Sequence, residues 1–320
     1  MRRRKILVWG LLALVSLSVS LAAAQQRFLQ DRPLPDRVNV RYGPHHRHRL
    51  DFWSSGTDQP SPLVVYIHGG GFQGGDKRGI PVDLLQECLR SGISVASINY
   101  RLSHHAPYPA PMLDGARAIQ FLRSRADEWH IDPERIAASG GSAGAGIALW
   151  VGFQDDLKQP ESDDPIEHFS SRLRCMAVFG AQTTYDPRVI ATIVGGRAHE
   201  HPALTPFFGL SGEQLDTQEV HRRYQEASPD THVSADDPPV YLVYNEPRGP
   251  LPPDAPPGKG IHHPNFGAYL ASKLDAFGIA CDTEHVEDLA DRGTSPHLQM
   301  VEFFRRQFGI AEIEAPSESE

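Results

Sequence analysis

The chain has 320 residues, of which 40% are apolar and 22% charged. That balance excludes a disordered chain and allows one large core or two small ones. A formal net charge of −9 argues against a general nucleic-acid binder, because contact with phosphates needs a basic surface.

The N-terminus opens on Arg2, Arg3, Arg4 and Lys5. An almost wholly apolar or small run, 6–21, comes next, and then Ala22, Ala23 and Ala24 before Gln25. This is the pattern of a secretory signal peptide over residues 1–24, with an uncleaved anchor as the alternative. Its removal takes the net charge from −9 to −13, since it carries four positive charges and no negative one. Export to a periplasm or the cell exterior is the expectation. No cysteine follows the apolar run, so a lipoprotein anchor is not expected. No later apolar run is long enough to span a membrane.

Beyond the signal, residues 25–311 alternate strand-like and helix-like segments. Residues 38–42 and Arg49–Trp53 flank Gly43 and Pro44 and read as a hairpin. Residues 63–67 (LVVYI) read as a buried strand. A helix over 82–89, a strand over 93–98 and a helix over 112–129 come next. Residues 135–138 form a short strand, and 142–151 a helix directly after it. Strands are expected at 175–179, Val240–Tyr244 and 281–286, and helices at 266–277 and 298–308. This order predicts an α/β fold, a mostly parallel sheet with helices on both faces and an antiparallel N-terminal hairpin. The polar stretches 155–170 and 195–237 read as a cap or as surface loops. The acidic tail 312–320 reads as disordered. Cys88, Cys175 and Cys281 are too few and too widely spaced for a disulfide framework or a zinc site. Buried free thiols are the default, with one disulfide as the alternative.

Two motifs carry chemistry. Gly140-Gly141-Ser142-Ala143-Gly144 fits G-x-S-x-G between a strand and a helix. A serine on such a sharp turn needs small neighbours, and the helix N-terminus behind it favours a developing oxyanion. His68-Gly69-Gly70-Gly71 follows the strand 63–67. Its glycines let backbone amides approach one substrate oxygen closely, as in the HGGG loops of lipases and esterases. Neither a Gly-Lys-Ser/Thr phosphate loop nor a dinucleotide fingerprint is present there.

With these motifs in hand, the chain resembles the α/β-hydrolase esterase and lipase group, BD-FAE-like and hormone-sensitive-lipase-like. The stretches that carry the likeness are 68–77 (HGGGFQGGDK), 99–102 (NYRL), 107–110 (PYPA), 132–136 (DPERI) and 140–146 (GGSAGAG). A weaker match is 227–234 (ASPDTHVS). The resemblance spans roughly 37–309 and is looser in its second half. It implies Ser142 as nucleophile, and the amides of Gly70, Gly71 and Ala143 as oxyanion hole. It also implies hydrolysis of small acyl esters through an acyl-serine, with carbohydrate acetyl or feruloyl esters as candidates. No cofactor and no metal are implied.

The acid and the histidine depart from the family pattern. The expected aspartate register falls near Arg248, leaving Glu246 as the nearest acid and Asp254 as the alternative. After the last strand the first histidine is His297, expected as the base because it keeps the chain order serine, acid, histidine. His285 reads as packed. His262 and His263 serve only if the triad is rearranged. An incomplete triad would give a weakly active or non-catalytic binding protein on a hydrolase scaffold. A serine peptidase of the prolyl-oligopeptidase kind is a further alternative.

Other residues take lesser roles. A metal at His45, His46 and His48 would need ligands converging from elsewhere. His104 and His105 read as an entrance or a plain surface loop. Asp76 and Lys77 are expected to shape the glycine loop, and Asp114 to anchor its helix.

Overall fold

Alternate residues of the central strands serve two different cores. In β3 (Ser61–Ile67), Leu63, Val65 and Ile67 join one apolar cluster, while Val64 and Tyr66 join another. A strand buried on both faces needs apolar residues at every position, which is why this run is nearly continuous. The computed structural model describes residues 32–210 and 217–311. The expected signal segment 1–24 and the expected tail 312–320 lie outside them. The sheet and its helices belong to the compact unit Pro35–Glu320.

In chain order the strands are β1 (Arg37–Arg41), β2 (Arg49–Trp53), β3, β4 (Ser94–Ile98), β5 (Ile131–Gly141), β6 (Met176–Phe179), β7 (Val240–Tyr244) and β8 (Cys281–His285). They form one sheet in the order β1-β2-β4-β3-β5-β6-β7-β8. β1 pairs antiparallel with β2, and β2 antiparallel with β4; all other pairs are parallel. This is the expected α/β architecture with its antiparallel edge hairpin.

The helices are α1 (Val82–Arg90), α2 (Ala110–Ser124), α3 (Ala126–Trp129), α4 (Ala143–Phe153), α5 (Pro187–Ile193), α6 (Leu204–Phe208), α7 (Gln218–Ala227), α8 (Asn265–Asp275), α9 (Val286–Asp291) and α10 (Pro296–Phe308). Leu84 and Leu85 of α1, with Phe303 and Phe304 of α10, cover Val64, Tyr66, Tyr241 and Val243 on one face. The other face is covered by α2, α4 and α8, through Ile119, Leu122, Ile147, Leu149, Phe266 and Leu270.

Several boundaries differ from expectation. The strand foreseen at 135–138 runs from Ile131 to Gly141. The helix foreseen over 112–129 begins at Ala110 and breaks at Arg125, after which α3 ends on His130 in the left-handed region. The strand foreseen to Val286 stops at His285, because that residue caps α9: its Nδ1 accepts the Glu287 amide at 3.3 Å. The stretch 195–237 contains α6 and α7. The stretch 155–170 is tied to α2, since Gln120 Nε2 donates to the carbonyls of Leu157 and Phe169. The three cysteines are free thiols, so the disulfide alternative is not realised. Among the described residues no helix is long and apolar enough to cross a membrane.

Asp114 anchors α2 as expected. Its buried carboxylate accepts the Arg101 amide at 2.8 Å and Arg101 Nη2 at 2.6 Å, and His48 Nε2 lies 3.0 Å away. Burial alone would raise its pKa; the bonds from His48 and Arg101 hold it below the usual carboxylate range. Removing one member of a buried ionic group leaves the others uncompensated. Asp114→Ala is therefore expected to lower unfolding free energy by about 3–5 kcal/mol. Urea unfolding reads this directly; a loss below about 1 kcal/mol, the range of an exposed pair, would refute the anchoring role.

Candidate active site

The serine turn is built by close packing. β5 ends at Gly141, α4 starts at Ala143, and Ser142 between them sits at φ 53, ψ −122. A non-glycine residue held there is strained, and strain of this kind concentrates at functional sites. The turn is held to β6 by the Ser142 amide, which donates to Phe179 O at 2.9 Å. Gly144 admits no side chain, because a Cβ there would stand 2.0 Å from the Ile67 carbonyl oxygen. That contact lets α4 start directly against the end of β3, beside the glycine loop.

The glycine loop is held just as firmly. Gly70 lies at φ 111, and a Cβ on it would come 2.5 Å from Gly74 O. His68 is buried and stacks on Tyr100, whose hydroxyl donates to His68 O at 2.9 Å. Burial lowers the His68 pKa to about 4, so the ring is neutral. Asp76 and Lys77 shape the loop as expected. The Lys77 ammonium meets Asp51 at 2.5 Å, its amide donates to Asn99 Oδ1 at 2.6 Å, and Asn99 Nδ2 donates to Asp76 at 2.9 Å. Gly70, Gly71, Ser142 and Ala143 all line one cavity of about 450 Å³. Its walls are mostly apolar, with Phe72 from the glycine loop, Ile190 from α5, Leu204 and Phe207 from α6, Ile261 and Phe266. Part of the irregular stretch 195–237 is thus a wall of this cavity.

The histidine beside Ser142 is His262. Its Nε2 lies 2.9 Å from Ser142 Oγ. The expected base, His297, is elsewhere: it sits on the first turn of α10 with its Nδ1 2.6 Å from Asp83 Oδ2 on α1. The reason is local. α9 begins at once after β8, so no loop is left there to carry a histidine to the serine. His285 donates instead from Nε2 to the Glu246 carbonyl at 2.9 Å and is buried.

Glu246 lies just past β7 and is joined to His262. Its Oε2 accepts the Gly260 amide at 2.7 Å, and its Oε1 accepts the His262 amide at 3.1 Å. The same Oε1 stands 3.7 Å from His262 Nδ1. The alternative acid, Asp254, is exposed on the proline-rich segment. His263 is buried, with its Nε2 donating to Gly249 O at 2.8 Å, so it braces the segment from inside. A smaller cavity of about 230 Å³ flanks Ser142 on the His262 side, lined also by Asn245, Phe179 and Gly180. Burial lowers the His262 pKa, Glu246 opposes the shift, and the neighbouring His201 adds to it. The ring is accordingly neutral at pH 7, the state a proton acceptor needs.

His104 and His105 do not border the 450 Å³ cavity; His105 turns instead towards His45 and His46. Sequence reasoning passed over Gln182 and His201, which line the cavity. Neither sits in a motif.

The arrangement can be set beside known proteins. A family model described as BD-FAE matches residues 50–248. The match includes Ser142, the glycine loop and Glu246, and stops before His262. The probable carboxylic ester hydrolase LipM of Mycobacterium tuberculosis is 27% identical over 213 residues, 64% of this chain and 46% of LipM. Esterase LipQ of the same organism is 25% identical over 224 residues, 68% of this chain and 50% of LipQ. The chain thus spans about half the length of these curated relatives. Among solved structures, a truncated carbohydrate esterase from gut microbiota superposes with a TM-score of 0.67 at 20% identity, over 85% of this chain and 95% of that one.

Proposed function

The chain belongs to the BD-FAE family, and from that premise we propose that it is a serine carboxylic-ester hydrolase with Ser142 as nucleophile, His262 as general base and Glu246 as the acid that orients it. The observation that carries the reading is the 2.9 Å contact between His262 Nε2 and Ser142 Oγ. A serine hydroxyl is a weak nucleophile until a base takes its proton. In the proposed cycle Ser142 Oγ attacks the ester carbonyl carbon and His262 Nε2 accepts the serine proton. The oxygen that becomes negative lies against the amides of Gly70, Gly71 and Ala143. Collapse breaks the C–O bond, and the departing alcohol takes the proton from His262. Water then attacks the acyl-serine by the same route and frees the acid. The names of the Mycobacterium tuberculosis relatives support ester hydrolysis.

The two cavities divide the substrate. The proton donor to the departing alcohol is His262, so the alcohol belongs on the His262 side, in the smaller cavity. The acyl group then belongs in the apolar 450 Å³ cavity. An acetyl group leaves most of that space empty. An aryl acyl group such as feruloyl, or a short-to-medium alkyl chain, buries more apolar area there. The case for a non-catalytic binding protein rests on a missing acid and histidine; His262 beside Ser142 and Glu246 beside His262 weigh against it.

The test is hydrolysis of 4-nitrophenyl esters from acetate to decanoate, with feruloyl and carbohydrate acetyl esters alongside. Turnover is expected throughout the short esters, with kcat/KM rising from acetate to a longer or aryl acyl group and falling for decanoate. The pH dependence follows from His262. It must be neutral to accept the proton, and burial lowers its pKa, so kcat/KM is expected to rise with pH on a midpoint below the ordinary histidine value of about 6.5 and then level. No turnover on any ester refutes the function. A midpoint above about 7 refutes the assigned base.

A further inference from the structure

A second cluster of chemistry-bearing side chains lies outside the active site. The segment His45-His46-Arg47-His48 precedes β2, and His105 lies on the loop that follows β4. Far apart in sequence, these loops meet. The ring centroids of His45 and His46 are 4.2 Å apart, and each lies 5.0 Å from that of His105. One nitrogen from each ring can be chosen so that all three fall within 4.8 Å of one another. We propose that His45, His46 and His105 form a binding site for a divalent first-row transition ion, zinc foremost, that joins the loop before β2 to the loop after β4.

The ligand chemistry selects the ion. Three imidazoles with no carboxylate among them suit zinc, copper or nickel and give calcium or magnesium nothing to bind. Zinc bonds of about 2.0–2.1 Å in tetrahedral geometry set neighbouring nitrogens about 3.4 Å apart. The rings would therefore close by at most about 1.4 Å from the observed 4.8 Å. His46 is exposed and free to make that rotation. His46 is exposed, so solvent water would supply the fourth ligand that a zinc ion takes.

The backbone beneath the cluster is already fixed. Arg47 donates from Nε to Tyr100 O at 2.7 Å and from Nη2 to Gly75 O at 3.1 Å, with His68 Nε2 also 3.1 Å away. His48 turns inward to Asp114 and is not a ligand. The His105 amide donates to Leu102 O at 2.8 Å. Two features oppose binding. Nδ1 of His45 and Nδ1 of His105 accept the amides of Arg47 and Leu102, each at 3.2 Å, so capture of an ion displaces these long bonds or moves the ring proton. The guanidinium groups of Arg47 and Arg101 also repel a cation, while Asp114 attracts one. Because Arg47 holds Gly75 and His68, an ion here would stiffen the segment that clamps the glycine loop from outside.

The experiment uses tag-free chain freed of metal by a chelator. Zinc chloride is titrated calorimetrically at neutral pH, cobalt(II) is added as a spectroscopic probe, and thermal unfolding is followed with and without excess zinc. One zinc per chain is expected, with visible cobalt bands of a four-coordinate site and a higher Tm with zinc. His46→Ala and His105→Ala are each expected to weaken zinc binding at least tenfold and abolish the Tm shift. His168→Ala, a histidine on the exposed 155–170 stretch, is expected to do neither. His46 is exposed, so its variant reports on binding even if His105→Ala misfolds. Zinc binding that His46→Ala leaves unchanged, or no zinc-dependent Tm shift in the intact chain, overturns the proposal.

Discussion

Replacing His262 by alanine is expected to abolish ester hydrolysis, and replacing His297 by alanine to leave it within about twofold. The two variants separate the histidine that meets the serine from the one that chain order after the last strand favours. His262 Nε2 stands 2.9 Å from Ser142 Oγ, whereas His297 is engaged with Asp83 on the α1–α10 side of the sheet. Without a base the serine hydroxyl keeps its proton at neutral pH. Loss of the nucleophile or the base in serine hydrolases leaves a residual rate of about 10³–10⁴ over water, from the oxyanion hole and binding alone. Ser142→Ala and His262→Ala are therefore expected to fall by a similar factor, on the order of 10⁴-fold or more in kcat, and the double variant by no more than either single one. Both side chains are partly exposed, so Tm is expected to stay within a few degrees and to separate lost chemistry from lost fold. If His297→Ala falls as far as Ser142→Ala while His262→Ala keeps its activity, the assignment is wrong. If His262→Ala loses less than about tenfold, another base operates.

The parts of this molecule legible in its sequence are those whose physics is local. Residues 63–67 read as a buried strand because every position meets apolar atoms on one face or the other. Ser142 and Gly70 are legible because their backbone conformations demand small neighbours that stand next to them in the chain: Gly144 faces the Ile67 carbonyl, and Gly70 faces Gly74. The place of His262 is not legible for the converse reason. What brings His262 to Ser142 is a set of distant contacts made by a proline-rich segment. Glu246 accepts its amides, His285 holds the Glu246 carbonyl, and His263 holds Gly249. None of these pairs has a spacing that announces it. One signal is present. Two adjacent histidines end the segment after β7, directly before a helix, while β8 runs into α9 with no loop between. The proposed set of Ser142, Glu246 and His262 keeps the order serine, acid, histidine along the chain. The turn from α2 to β5 shows the same limit: helix periodicity continues to Trp129, but Arg125 and His130 leave helical geometry.

Glu246→Gln is expected to cost about 10²–10⁴-fold in kcat/KM with only a small change in Tm, whereas Glu246→Ala costs activity and stability together. On the proposed assignment the carboxylate has two tasks. One is electrostatic: Oε1, 3.7 Å from His262 Nδ1, favours the imidazolium that forms when His262 takes the serine proton. In a well-studied triad, exchanging the acid for its amide drops kcat by about 10⁴, because the histidine adopts the wrong tautomer. The loss here is set lower because the acid and the ring begin further apart. The second task is mechanical. Oε2 and Oε1 accept the amides of Gly260 and His262, so the acid also holds the base's backbone. A glutamine keeps one carbonyl oxygen for one of these amides but turns an N–H₂ towards the other. An alanine leaves both without that acceptor, and hydrogen bonds to a charged group contribute about 1.5–3 kcal/mol each. Asp254→Ala, on the exposed part of the same segment, is expected to change neither quantity. The measurements are kcat/KM on one short-chain ester and urea unfolding of each variant. Glu246→Gln within tenfold of the parent would assign the acid's place to another group. If its stability falls as far as that of Glu246→Ala, the mechanical task accounts for the whole effect.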